Sequence, residues 1–576
     1  MKYKGDRMDM KKIAVLASAA ILTTGLLAGC SSDNKDNANK ASNATANADA
    51  GSAMKDGKFD PPITISIAKQ QDENAGKYIN GETINDNVLT RWGKDNLGIN
   101  IETTLLGGDA GNYNTKLRLA ITGSEKLPDV LPVYDTMLEN DLIQSGLVKD
   151  ITEDISKYMP DRLKEIYKQF PTSFNPIVHD GKVYGMAIAP NLTEGQVMLI
   201  RQDWLDKLNL KAPTTIDEFE KVIAAFTNDD PDGNGQKDTY GFDFSGKDSY
   251  NTGWVSDSVM IFSAFTGKNL PGQWYNDNGK LTYGSVAEGT KEALAKLQDW
   301  YSKGYLNPEL ATQGAWDALA DFTEGKAGII IGRPWLYGSI KDVEKNVSGA
   351  KVIMYPTING VNGDKTYQAG QQNDGVFMFN KDFKNMEAFF VYYDKLYDAA
   401  FGTGDFKYGY AEGYDYDIVN DEVVFDPTKF NKPLEAAVMV GKMSFTKNTP
   451  SVDGTGKSFY DLANGVEANT GVLMRAASTD QTTRDGYVIS YENSDVLLPN
   501  AFNGPPTKTM QTSWEQLTTM EKETFTKIIY SREPISAYDD FVKKWHDKGG
   551  TQITEEVNEW YTNASKVDVM TNMGLK

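Results

Sequence analysis

From Ile63 onward the chain switches repeatedly between a strand period and a helix period, and that alternation restricts the fold more than any other feature. "ITISIAK" (63–69) alternates apolar and polar residues with β-branching, which suits a strand. "INDNVLTRWGKDNLG" (84–98) reads as a helix stopped by Gly98. "INIETTLL" (99–106) is a second strand, "NYNTKLRLAITGSE" (112–125) a second helix and "LPDVLPV" (127–133) a third strand. "ENDLIQSGLVKDIT" (139–152) closes with another helical turn. A β-α-β-α-β order predicts an α/β fold, a parallel sheet with helices on both faces. Ligands of such sheets bind outside the carboxyl ends of the strands. The corresponding turns hold neither GxGxxG nor GxxxxGK[ST], so nucleotide binding is not supported.

The net charge of −21 argues against nucleic acid, whose phosphates demand a basic face, and against an anionic membrane surface as partner. The chain has two histidines, His179 and His546, and one cysteine, Cys30, so an internal disulfide is impossible and a Cys/His zinc site is not expected. Residues 1–29 read as a signal peptide. Lys2, Lys4, Arg7, Lys11 and Lys12 precede the apolar run "IAVLASAAILTTGLLAG" (13–29), which is short for a spanning helix. "LAGC" (27–30) resembles the lipobox of bacterial lipoproteins, which implies cleavage before Cys30, acylation of its thiol and a lipid anchor facing the extracellular side of the cell membrane. Residues 30–57 then read as lipidated cysteine and flexible tether: Ser31 to Gly57 holds no aromatic and no branched aliphatic residue with which to offset ordering entropy.

The body carries an ordered series of motifs. "GINIETTLL", "PDVLPV", "SGLVKDIT", "DGKVYGMAIAP" and "VMLIRQDWLDKLNLKAPTTIDEFEKV" are followed by "LQDWYSKGYLNPEL", "FTEGKAGIIIGRPW", "NKDFKNMEAFFVYYDKLYD" and "SREPISAYDDFVKKWHDKGGTQITEEVNEWY". In order and spacing the set resembles family 1 extracellular solute-binding proteins, the maltose-binding-protein-like receptors of bacterial ABC importers, and their large Gram-positive lipoprotein branch. The resemblance covers nearly all of the chain after the tether. It implies a two-lobed periplasmic-binding-protein-like fold with a hinge and an interlobe cleft, a glycan ligand, and permease subunits as partners. We expect residues 58–190 and 374–450 in the first lobe, 191–373 in the second, and 451–576 as the remaining second lobe with hinge helices. Crossings fall near Ala187–Leu199 and Asp374–Asn380. A monomer is expected.

"NDDPDGNGQKDTYG" (228–241) interrupts this pattern with alternating oxygen-bearing side chains. It follows an amphipathic helix begun by a Thr215/Glu218 capping box, with Ile216, Phe219, Val222, Ile223 and Phe226 on one face. Asp230, Asp232 and Asn234 occupy the first, third and fifth positions of a calcium-loop pattern, Gln236 can offer its backbone carbonyl, and Asp238 is ninth. The twelfth position is Gly241, so the bidentate glutamate is missing. Some sugar receptors of the family place an acid directly after the ninth position; here that residue is Thr239. The alternative is a solvated turn, since D-G and N-G favour turns. Calcium, in a structural role, is the expected occupant.

A sugar presents hydroxyl edges and a flat C–H face, so its receptor needs acids, amides and aromatic planes. At strand ends and crossings the candidates are Gln70, Asp72, Asp135, Trp254, Arg333, Trp335 and Asp374, with Gln371, Gln372 and Asn373 beside the last. The family's sugar-contacting acid falls at Tyr134 or Asp135, because one extra residue separates the flanking motifs. Each of these also has an ordinary reading as solvated loop or packing. Trp92, Trp204, Trp300 and Trp560 lie on helix patterns and read as packing. The function expected is an importer's substrate-binding subunit for an oligosaccharide or polysaccharide fragment, without catalysis. Two alternatives stay open: a surface-anchored glycoside hydrolase or lyase, which needs two carboxylates at a defined separation, and a peptide or pheromone receptor of the same fold.

Overall fold

A computed structural model of the chain describes residues 53–71, 78–123, 126–188, 194–363, 367–369, 374–432, 440–445, 455–564 and 568–576. Cys30 and the tether before residue 53, Asp72, and Gln371 to Asn373 lie outside the described residues, as does 189–193 within the first expected crossing.

Among the described residues, nine of the strands build the two larger sheets: β1 (Ile63–Gln70), β2 (Ile99–Gly107), β3 (Val130–Val133), β4 (Met186–Ala187), β5 (Val197–Arg201), β6 (Tyr240–Phe242), β7 (Ala327–Gly332), β8 (Val352–Tyr355) and β9 (Val376–Phe379). The first sheet is five-stranded, in the order β2-β1-β3-β9-β4. Strands β2, β1 and β3 run parallel, as their βαβ spacing requires. Strand β9 enters antiparallel to β3 and β4, so the sheet is mixed and not wholly parallel as expected. The reason is topological: β9 arrives from the other lobe and not through a helical crossover. The second sheet has four strands in the order β6-β7-β5-β8, with β5 antiparallel to both neighbours.

Helices between the strands start and stop where their end residues dictate. In α1 (Val88–Trp92), Asn87 Oδ1 accepts from the N–H groups of Leu89 and Thr90, both at 3.1 Å. A further π turn ends at Gly98, whose φ of 67° suits a residue without Cβ. Helix α2 (Ala110–Thr122) is capped by Asp109 and α3 (Thr136–Gln144) by Asp135. Helix α4 (Ile216–Asn228) carries the expected stripe, and all five of its apolar residues are buried. Its capping box differs from the expected one. Thr215 Oγ1 accepts from the Glu218 N–H at 3.3 Å, but Glu218 Oε2 reaches one residue further back, to the Thr214 N–H at 2.9 Å and its hydroxyl at 2.7 Å.

Two cores separate the lobes. The first runs through β1–β4 and β9. The second lobe buries both faces of its sheet: Met198, Ile200, Ile329 and Ile331 face one cluster, while Val197, Leu199, Ala327 and Ile330 face another. Side chains alternate between the two clusters along β5 and along Ile329 to Ile331 of β7. After β9 the chain forms α5 (Thr470–Ser478), α6 (Gln481–Glu492), α7 (Met510–Ile529) and the terminal α8 (Val569–Asn572). Leu517, Phe525, Ile528 and Ile529 of α7 belong to the second core. Val569, Met570, Met573 and Leu575 return to the first, apart from the rest of 451–576.

At the crossings, the Ile188 N–H donates to Gly375 O and the Asp374 N–H to Ile188 O, both at 2.8 Å. The two connections therefore run side by side where they leave the first lobe. The second crossing does not extend through the whole of the expected Asp374–Asn380, because the apolar run Val376–Phe379 is buried inside the first sheet as β9. Among the described residues no helix is long and apolar enough to cross a membrane.

Several acids are buried deeply enough to set a pH dependence. Burial pushes the Glu139 carboxyl up to about 8, Asp243 up to about 7, Glu521 up to about 7 and Asp415 up to about 6. The folded state thus keeps protons that the unfolded chain has already released above about pH 4. Stability from these groups is present below that value and is lost as pH rises toward 6–8. Glu220, despite partial burial, is held down to about 2 by Lys303 and Lys296, and it acts in the opposite sense below about pH 4. Melting temperature is expected to peak between about pH 4 and 5.5 and to fall toward pH 8. A thermal-melt series that instead rises steadily from pH 5 to 8 would contradict this. Asp243→Asn is expected to flatten the slope.

Candidate functional site

In the second lobe the turn after β7 meets the loop after β6. Arg333 is buried, its Nε donates to Gly253 O at 2.9 Å, and its N–H donates to Trp254 O at 3.0 Å. These bonds seat the loop that presents Trp254. The Trp254 and Trp335 rings lie 6.0 Å apart at 34°, and Trp316 stands edge-on to Trp254 at 5.4 Å. Trp254 is 40% exposed and Trp316 50%, so aromatic faces remain open to a ligand. Behind them sits Asp257, fully buried and pushed up by that burial. It accepts from Gln196 Nε2 at 2.6 Å, the Gly253 N–H at 2.7 Å and the Val259 N–H at 2.9 Å. The structure thus brings Trp254 together with Arg333 and Trp335, which lie some eighty residues further along the chain, over the buried Asp257.

In the first lobe, polar groups gather at the carboxyl ends of β1 and β3. Lys69 is buried, donates to Lys442 O and is lowered to about 7 by that burial. Gln70 Oε1, Glu139 Oε2 and Asn140 Nδ2 are shielded from solvent and have no hydrogen-bond partner among the described residues. Asp135 is placed differently from a free ligand contact. As the N-cap of α3 it accepts from the Leu138 N–H at 2.9 Å, and it also meets Asn114 Nδ2 at 3.3 Å and Arg118 at 3.5 Å. Tyr134 packs 6.2 Å from Tyr113. Asp374 lies at the second crossing.

The acidic loop is exposed and wrapped tightly. Asp230 accepts from the Gly233 N–H at 3.0 Å and the Gly235 N–H at 3.1 Å. Asn234 Nδ2 points between acids, at 2.7 Å from Asp232 Oδ2 and at 3.2 and 3.1 Å from the two Asp238 oxygens. Partial burial and the neighbouring Asp230 and Asp238 push the Asp232 carboxyl up. Among the described residues no three His, Cys, Asp or Glu side chains already converge as a metal site. The donor set nevertheless fits a hard cation. Turning the Asn234 amide presents its oxygen in place of its nitrogen, and a cation there would relieve the repulsion among the acids. Neither downstream residue completes the shell. The Thr239 hydroxyl donates to Phe226 O at 2.8 Å, and Gly241 packs so closely on α4 that a Cβ would stand 2.3 Å from Ile223 O. The missing glutamate is therefore the cost of packing β6 against α4.

The family model for bacterial extracellular solute-binding proteins matches residues 75–400, more than half of the chain. The chain belongs to that family. Among similar proteins of Bacillus subtilis (strain 168), the polygalacturonan/rhamnogalacturonan-binding protein YtcQ is 24% identical over 459 residues, 77% of this chain and 82% of that protein. Lipoprotein LipO is 23% identical over 469 residues, 79% and 85% of the two chains. Among solved structures, an EF-hand mutant of the Streptococcus pneumoniae ABC-transporter substrate-binding protein FusA, in complex with fructo-nystose, matches with a TM-score of 0.60 at 19% identity, over 88% of this chain and all of that one. The shared fold is the two-lobed α/β architecture with hinge and cleft.

Within this solute-binding protein, sequence reasoning missed Gln196, Asp257 and Trp316. Trp316 had a legible signal: it falls on the polar face of "AWDALADFT", where a core tryptophan would not be placed. Gln196 and Asp257 had none, since single polar residues in loops look alike until the fold buries them.

Proposed function

We propose that this solute-binding protein is the lipid-anchored, monomeric receptor of an ABC importer, that it captures an oligosaccharide or polysaccharide fragment between its lobes, and that it does no chemistry on it. The observation that carries the reading is the Trp254–Trp335 platform, held by Arg333 at the end of β7. Aromatic faces suit pyranose C–H faces, and buried polar groups beside them discriminate between hydroxyl patterns. Relatives named for glycan binding support the ligand class. LipO, named a lipoprotein, supports acylation at Cys30 and an extracellular, membrane-held position. Contacts from both lobes would favour the closed state, which the permease reads; a ligand shifts that equilibrium only by its differential affinity for the two forms. In the acidic loop, Asp230, Asp232, Asn234, Gln236 and Asp238 would hold calcium, which supplies structural pinning; a relative whose name records an EF-hand supports this.

The test uses the chain from Ser31, with tryptophan fluorescence and thermal melting against a glycan panel. A saturable shift without new reducing ends or unsaturated products supports the receptor. Product formation would transfer the role to a hydrolase or lyase. Calcium at tenfold excess over its Kd adds about 1.4 kcal/mol. Millimolar calcium is therefore expected to raise melting by roughly 1–3 °C over chelator. Asp232→Ala together with Asp238→Ala should abolish that difference; an unchanged difference removes the loop as the calcium site.

A further inference from the structure

Helices α5 and α6 stand between the lobes. Helix α5 packs against the first-lobe helix Asp398–Phe401, and α6 against the Pro334–Leu336 turn and β8 of the second lobe. The turn joining them is pinned by Arg484. Its Nη1 donates to Ala476 O at 2.5 Å and to Thr479 O, and its Nη2 to Gln481 Oε1 at 2.6 Å. Arg475, one helix earlier, is different. Its Nε and Nη2 are both shielded from solvent, and neither has an acceptor among the described residues. Those two atoms form the side-on edge of the guanidinium, with parallel N–H groups matched to the two oxygens of a planar carboxylate.

Neighbouring charges do not fill that role. Arg333 faces Glu194, Asp257 and the Tyr487 phenol. Tyr487 on α6 is hydrogen-bonded to Glu194 and lies in the field of both arginines. Among the described residues, the group that Arg475 faces is that phenol. A shielded guanidinium edge without an acceptor is costly, and the cost is recovered when an anion arrives. The edge belongs to α5, and the helix that follows it, α6, is seated on the turn that carries Trp335.

We propose that Arg475 recognises the carboxylate of a uronic acid, so that the glycan captured by this protein is an acidic oligosaccharide. The inference rests on the glycan-receptor reading above and narrows it to a charge class. A uronate ring stacks as a neutral sugar does and adds one planar anion. Bidentate pairing fixes the ring's orientation, and the single charge separates acidic from neutral glycans.

The probes are trimers of galacturonate, of mannuronate and of glucuronate, the methyl ester of each, and maltotriose, measured by calorimetry on the chain from Ser31. At least one free-acid trimer is expected to bind at least about 30-fold more tightly than its methyl ester. Arg475→Gln should remove that preference by weakening the free acid alone, leaving the methyl ester and the melting temperature unchanged. Arg475→Lys should restore it only in part, since a point charge lacks the fork. Equal binding of acid and ester, or an acid preference that survives Arg475→Gln, overturns the inference. Tight maltotriose binding that is indifferent to Arg475 also overturns it while leaving the receptor reading intact. If no trimer of any charge binds, the receptor reading fails with it.

Discussion

Trp254→Ala is expected to weaken glycan binding by about 30-fold or more, a loss of about 2 kcal/mol, which is the scale of a buried aromatic anchor. The ring is 40% exposed and its neighbours are Trp316 and Trp335, so in the free protein it fills no core. Truncation therefore removes little folded-state packing, and the melting temperature of the unliganded protein should move by a degree or two at most. Loss of affinity with stability preserved is the signature of a contact made only with ligand. Trp204→Ala supplies the contrast. That indole is 1% exposed, stands edge-on to Phe226 at 5.3 Å and stacks under Arg201. Its loss should lower stability first and affinity only as a consequence. Titration of both variants with one bound glycan decides the matter; unchanged affinity in Trp254→Ala would remove the platform from the binding site.

Phe525→Ala is expected to cost about 3–5 kcal/mol of second-lobe stability, the range for emptying a large aromatic site in a packed core. Phe525 on α7 has ring contacts with Phe262 at 6.0 Å, Tyr250 at 6.3 Å, Tyr538 at 6.4 Å and Phe541 at 5.7 Å. It therefore joins the second lobe's middle segment to helices more than two hundred residues later. The next residue, Thr526, hydrogen-bonds the Tyr250 hydroxyl at 2.6 Å, and Ile528 O accepts from Gln298 Nε2 at 2.6 Å. A cavity at Phe525 should loosen α7 from the sheet-bearing part of the lobe. Denaturant unfolding should show a lowered midpoint, or a separate early transition if the lobes unfold independently. A shift below about 1 kcal/mol would mean that the site collapses around the lost ring.

The strands and helices between Ile63 and Val133 were legible because each obeys one period over enough residues to be read alone. Strand β7 was legible for another reason: an unbroken apolar run before Arg333 has few places to go except a fully buried strand. Direction was not legible. Whether Val376–Phe379 crosses between lobes or lies inside the first sheet depends on partners more than two hundred residues earlier, and period alone is silent on that. Site residues divide in the same way. Trp254, Arg333 and Trp335 stood out by residue type in loops, whereas Asp135 stood out equally and proves to cap α3. Arg475 carried no mark at all, because arginine in a helix is ordinary until its surroundings leave the guanidinium edge without an acceptor.

The return of α8 to the first core has a consequence for the order of synthesis. Phe59 and Leu575 belong to one cluster, although the whole second lobe lies between them in the chain. A polypeptide that emerges amino end first delivers Phe59 more than five hundred residues before Leu575. The lobe that emerges first thus cannot complete this core until Val569 to Leu575 have followed, while the buried members of the second core, which run to Val557, are by then already present. Between those moments the first core has an open seam, and transiently exposed apolar surface of that kind is prone to aggregate.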